Sequence, residues 1–167
     1  MTPVTNRSGT IQATDYGPTC PQSGNAPLNQ TQLASNGSFA EPYYSENVEG
    51  DEDCLFLNVQ SPSNAANLPV LVWIHGGGYG AGNGRQNMSE IISANDGGFV
   101  GVSIQYRLGA FGFMSSDEIY RYGIANAGIY DQHFALQWVQ SYISLFGGDP
   151  SRVTISGESE SSHSTGL

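Results

Sequence analysis

The run Pro69-Val70-Leu71-Val72-Trp73-Ile74-His75-Gly76-Gly77-Gly78 limits the folds open to this chain more than any other stretch. Its unbroken apolar core, opened by a proline and closed by glycines, offers no polar face to solvent, so it reads as a strand buried on both sides of a mainly parallel sheet. Parallel strands need crossover connections that cover the sheet, which makes the fold class α/β with flanking helices. The glycines free backbone amides in a loop at the end of the strand. Such amides can hold an oxyanion.

Further strands are expected at Leu55 to Gln60 and Phe99 to Gln105, with Ser61-Pro62-Ser63-Asn64 as a turn and Met88 to Ala94 as a short helix. From Tyr130 to Phe146 the spacing becomes helical. Ala135, Trp138, Val139, Tyr142, Ile143 and Phe146 form one apolar face, ended by Gly147-Gly148. Asp149-Pro150 then turns the chain into a strand from Val153 to Ser156, and strand, helix, strand makes a right-handed crossover. Residues 1 to about 50 are rich in Gly, Pro, Asn, Ser and Thr and read as irregular, with room for one short helix. A length of 167 residues is enough for one domain with a core.

A net charge of −10, with five Arg and no Lys, excludes a nucleic-acid partner, because nothing here would displace counterions from a phosphate backbone. The missing lysine also removes a P-loop or Schiff-base reading of the glycines. No apolar run reaches transmembrane length, and the opening Met1-Thr2-Pro3-Val4-Thr5 lacks the apolar segment of a signal peptide. Cys20 and Cys54 are the two cysteines. A pair in such a chain suggests an oxidising compartment, with two unpaired buried thiols as the alternative. Acceptor sequons at Asn6, Asn29, Asn36 and Asn87 point the same way, although some are expected by chance. The acidic run Asp51-Glu52-Asp53 lacks the alternating spacing of a calcium loop, and no metal or cofactor is expected.

The candidate nucleophile is Ser159, in Val153-Thr154-Ile155-Ser156-Gly157-Glu158-Ser159. A strand that turns sharply to present a serine hydroxyl needs small residues two positions to either side. Gly157 meets the first demand, and Ser161 stands where the second glycine belongs. Gly76, Gly78 and Ala81 also match a dinucleotide loop, but Gly80, Gly82 and Gly84 would break the helix that such a loop must enter. Of the histidines, His75 leads the glycine loop and reads as its support. His133 lies on the expected helix, and His163 follows Ser159 by one helical turn; none is a convincing general base.

Six segments, taken in order, resemble the type-B carboxylesterase family, the α/β-hydrolase group that includes cholinesterases and fungal lipases. They are Tyr16-Gly17-Pro18-Thr19-Cys20-Pro21-Gln22, Glu52-Asp53-Cys54-Leu55-Phe56-Leu57-Asn58-Val59, His75-Gly76-Gly77-Gly78-Tyr79 and Tyr106-Arg107-Leu108-Gly109-Ala110-Phe111-Gly112-Phe113. Asp131-Gln132 with Ala135-Leu136-Gln137-Trp138-Val139, and Phe146-Gly147-Gly148-Asp149-Pro150 leading to Gly157-Glu158-Ser159, complete the set. The resemblance implies a partial α/β-hydrolase fold and a serine carboxylesterase or lipase acting on small-molecule or lipid esters. It makes Ser159 the catalytic nucleophile, and the amides of Gly77, Gly78 and Glu160 the oxyanion hole. It also implies a disulfide between Cys20 and Cys54, an ion pair between Arg107 and Asp131, and extracellular localisation. Glu158 would lie beside the catalytic site without being the triad acid. Tyr79, Phe111 and Phe113 could wall a substrate pocket, and core packing explains them equally well.

Family domains of this kind are much longer, so residues 1–167 read as a partial domain: mostly irregular to residue 50, sheet core from 51 to 159, and an atypical tail from 160 to 167. Agreement ends at Ser159, since Glu160-Ser161-Ser162 replaces the expected small residue and glycines. That tail is expected to be foreign to the family, and the triad acid and histidine to lie in sequence absent here. The chain alone is then expected to be inactive. A binding protein built on the same scaffold, or a gene fragment without function, are the alternatives; the presence of Ser159 counts against the first.

Overall fold

The alternation of branched apolar residues decides which side of the sheet is core. The structure, a computed structural model, describes residues 13–23 and 50–159. Strands β1 (Leu57–Gln60), β2 (Leu68–Ile74), β3 (Val100–Ile104) and β4 (Gly148–Gly157) form one sheet in the order β1-β3-β2-β4. β2 runs parallel to both β3 and β4, and β1 is antiparallel to β3.

The register places Val59, Val102, Val72 and Ile155 in one row across the four strands. Since side chains alternate along a strand, Leu57, Val70, Ile74, Val100, Ile104 and Val153 share that face. Against it packs the longest helix through Val139 and the following Ile143, both fully buried. Val72 and Val102 are also fully buried, and complete burial of such side chains contributes roughly 1.5–3 kcal/mol each. The opposite face is more polar than a strand buried on both sides requires. It carries Asn58, Gln60, Ser103, Thr154 and Ser156 beside Leu71 and Trp73. The segment that follows the glycine loop covers part of it: Asn58 and Ser103 donate to the Gly84 carbonyl at 2.7 and 2.6 Å. Gly101 leaves room for Met88, since a Cβ there would lie 2.6 Å from the Met88 sulfur.

The helices are α1 (Ser89–Ala94), α2 (Gly109–Phe113), α3 (Asp117–Tyr122) and α4 (Ala127–Tyr142), with a 3-10 turn over Ile143–Phe146. The short α2 and α3 are not expected from the sequence. In α3, Ser116 caps the helix by accepting from the Ile119 amide at 3.2 Å, and Asp117 and Glu118 occupy the positive first turn. α4 begins at Ala127 rather than Tyr130. Its inward side is Gly128, Asp131, Gln132 and Val139, whereas Tyr142 and Phe146 are 49% and 40% exposed. The first turn of α4 meets Phe113 and the Arg107 backbone, an approach that only Gly128 permits. Tyr142 and Phe146 instead lie beside Trp138, at ring separations of 5.5 and 5.9 Å.

Gly147 ends the helical stretch in the left-handed conformation, φ +79°, as expected, but Asp149-Pro150 is not a turn before the strand. β4 already starts at Gly148, and residues 149–152 bulge opposite Pro69 between the pairs Leu68–Gly148 and Val70–Val153. Asp149 rebuilds the bonding lost there: its carboxylate accepts from the Ser151 amide and hydroxyl at 2.9 and 2.7 Å and from Arg152 at 2.8 Å.

Candidate active site

Parallel strands in register end together. Ile74 pairs with Ile104 and with Gly157, so the residues that follow all three strands meet on one rim of the sheet. Antiparallel β1 begins at this rim, with Leu57 opposite Ile104. The Cys20–Cys54 bond just ahead of it ties in the stretch 13–23, as the resemblance implied. By loop entropy this bridge, closing a separation of 34 residues, is worth about 4 kcal/mol.

Ser159 has φ +58°, a left-handed conformation that costs a non-glycine residue about 1–2 kcal/mol. It follows β4 after a single residue, and Gly76 faces it. A Cβ on Gly76 would lie 2.8 Å from the Glu158 carbonyl oxygen and 3.3 Å from the Ser159 Cβ, so only glycine lets the loop close this far. Gly77 and Gly78 have φ +121° and +64°. A Cβ on Gly77 would collide with the Ala81 carbonyl, whereas at Gly78 nothing among the described residues lies within 4 Å. The loop therefore has a packed side and an open side. No helix follows it until Ser89, which removes the dinucleotide reading.

The sequence reading missed the side chain that holds this loop. Gln22 accepts from the Gly82 amide at 2.7 Å and donates to the Gly82 carbonyl at 2.9 Å and the Cys20 carbonyl at 2.8 Å. Ser23 adds a bond from its amide to the Gly80 carbonyl at 2.6 Å. The signal was its place two residues after Cys20, but its target lies 60 residues away. Tyr106, fully buried, supports the start of the loop by donating to the His75 carbonyl at 2.8 Å and stacking on the His75 ring at 4.4 Å. His75 Nδ1 lies 2.9 Å from the Gly76 carbonyl. These contacts tie His75 to the start of the loop.

Gly76 faces Ser159 on the rim, and Gly77 and Gly78 follow it in the loop, while Glu160, Ser161 and His163 lie outside the described residues, as do Asn6, Asn29 and Asn36. His133 is exposed on α4, 3.0 Å from Gln137. Tyr79 meets Phe113 at 4.7 Å, and Phe113 meets Tyr106 edge-on at 6.3 Å, so this pair packs beneath the loop; Phe111 is 55% exposed. Arg107 donates from Nε and Nη2 to Asp131 at 2.7 Å each, joining the segment after β3 to α4. The hydrogen bond to Asp131 raises the guanidinium pKa, against the opposing effect of burial. A separate cavity of about 470 Å³ is lined by Tyr16, Phe56, Trp138 and Phe146 among others, and by no residue of the glycine loop or the Ser159 turn.

The sequence profile described as the Carboxylesterase family matches residues 2–165. The chain belongs to the carboxylesterase family. It is 39% identical to Secreted lipase 1 of Botryotinia fuckeliana, over 94% of its own length and 29% of that lipase. It is 40% identical to Para-nitrobenzyl esterase of Bacillus subtilis, over 89% of the chain and 28% of the relative. Among solved structures, that of Aspergillus niger EstA superposes with a TM-score of 0.74 at 37% identity, covering 94% of this chain and 28% of that one. The sheet is accordingly part of an α/β-hydrolase fold, and the chain spans less than a third of these relatives.

Proposed function

We propose that this carboxylesterase chain is the nucleophile-bearing part of a serine ester hydrolase that acts outside the cell on small-molecule or lipid esters. The observation that carries the reading is the left-handed Ser159 set against Gly76. A strained backbone at a serine, closely faced by a loop with free amides, suits the presentation of a hydroxyl to an acyl carbon. Ser159 Oγ attacks the ester carbonyl while its proton passes to a histidine outside the described residues. The amides of Gly77, Gly78 and Glu160 take the negative charge of the tetrahedral oxygen, each donor contributing about 3–4 kcal/mol at the transition state. The alcohol leaves with the proton, and water releases the acid from the acyl-enzyme. The Cys20–Cys54 bridge supports an oxidising compartment, and one relative carries secretion in its name.

The test transplants residues 50–159 into the Bacillus para-nitrobenzyl esterase, which supplies the remaining framework, and follows p-nitrophenyl acetate hydrolysis beside the chain alone. The expected result is turnover by the transplant that falls by about 10⁴-fold or more in Ser159→Ala, and none by the chain alone. Equal rates with and without the Ser159 hydroxyl would sink the proposal.

A further inference from the structure

The segment Asn87-Met88-Ser89 joins the glycine-rich loop region to α1, and ester hydrolysis makes no use of it. Met88 is 3% exposed, tucked against Gly101, while Asn87 and Ser89 on either side are exposed. The Asn87 Oδ1 accepts two hydrogen bonds from Ser89, at 2.9 Å from its amide and 2.6 Å from its hydroxyl. Both contacts fall on the carboxamide oxygen. They fix the group with its nitrogen, Nδ2, free of any partner among the described residues.

We infer that Asn87 is an acceptor for an N-linked oligosaccharide. The donor is an oligosaccharide carried on a lipid pyrophosphate. Nδ2 attacks the anomeric carbon, the C–O bond to the pyrophosphate breaks, the lipid pyrophosphate leaves with the bonding pair, and Nδ2 gives up one proton. The product keeps Oδ1 as an acceptor, so the turn made with Ser89 survives. A Ser two residues after the Asn, with a non-proline residue between them, is the sequence that this transfer requires, and the Cys20–Cys54 bridge belongs to the compartment in which it happens.

The position of Asn87 also keeps the glycan away from the candidate nucleophile. Gln60 grips the segment from both sides, donating to the Gln86 carbonyl and accepting from the Met88 amide, each at 2.8 Å. In the sheet Gln60 pairs with Gly101, at the far end from the Leu57–Ile104 pair that marks the Ser159 rim. Three steps along the strand separate the two pairs, about 10 Å. A sugar on Asn87 therefore grows from the opposite end of the sheet and leaves the rim open.

The inference does not depend on ester hydrolysis, only on passage through the secretory compartment. The test sends the full chain there in a eukaryotic cell behind an added signal peptide, with Asn87→Gln, Ser89→Ala and Ser89→Thr beside it. Retained and secreted material are both digested with trypsin and peptide N-glycosidase, so no variant needs to fold to be read. The peptide following Arg85 is expected to return Asp at position 87, and intact Asn87→Gln and Ser89→Ala chains to lose the mass of one glycan that Ser89→Thr keeps. Recovery of Asn87 unchanged, whether or not Asn6, Asn29 or Asn36 is modified, would overturn the inference.

Discussion

Gln22 shows how much of a glycine loop can rest on one side chain. Its carboxamide matches the amide and carbonyl of Gly82 with one bond each, as a neighbouring strand would. Gln22→Ala leaves both groups to water, at a cost of about 1–3 kcal/mol. Amide hydrogen exchange at residues 80–82 is expected to quicken by about tenfold or more, while Val72 and Val102 in the sheet exchange as before; unchanged loop exchange would refute the assignment. Gln22→Glu keeps an acceptor for the Gly82 amide but no donor, and should fall between. The candidate nucleophile and the glycines were legible in the sequence because strand, glycine and serine are close neighbours there. Gln22 was quoted only as part of a motif, since no local pattern tells a glutamine what it will touch 60 residues away.

At the scale of elements, the start of β4 carries a testable acid dependence. The Asp149 pKa is lowered from 3.8 to about 2, first by the Ser151 hydroxyl and then by Arg152. A carboxyl group whose folded pKa lies below its unfolded value contributes stability that is present above the unfolded pKa and lost as pH falls through the folded one. The stability gap between the chain and Asp149→Asn is therefore expected to close between pH 3.8 and about 2, followed by urea unfolding; a constant gap across that window would rule the mechanism out. The same element marks where sequence reading failed. β2 and β3 were legible because their apolar runs are continuous, whereas Asp149-Pro150 has turn chemistry and was read as a turn. It is a turn in effect, spent inside a strand as a bulge. The helices α2 and α3, at five and six residues, are too short to show a period.

For the whole molecule, the sheet is covered unevenly. β4 has one neighbour among the described residues, β2, and Val153 and Ile155 on it are only partly buried. Leu145 is 79% exposed and Phe134 56%, close in sequence to the aromatic group of Trp138, Tyr142 and Phe146. Open strand edges and apolar patches recruit other chains. The chain by itself is expected to bind anilinonaphthalene sulfonate and to associate with rising concentration in sedimentation velocity, and Thr154→Lys on the β4 edge to reduce the association. A dye-silent monomer at high concentration would contradict this. The parallel architecture was legible from strand type and crossover; the polar character of the second face was not, because Asn58 and Ser103 are matched by a backbone carbonyl that only the folded loop supplies.

The Cys20–Cys54 bond has a mechanical meaning as well. A pull on the chain upstream of Cys20 is passed through sulfur to the head of β1 and spread over its ladder with β3, before it reaches Gln22. The bond works as a cable clamp does at the wall of an instrument, where tugging on the lead leaves the contacts inside at rest. With the bridge reduced, the same tug arrives at the loop that faces Ser159.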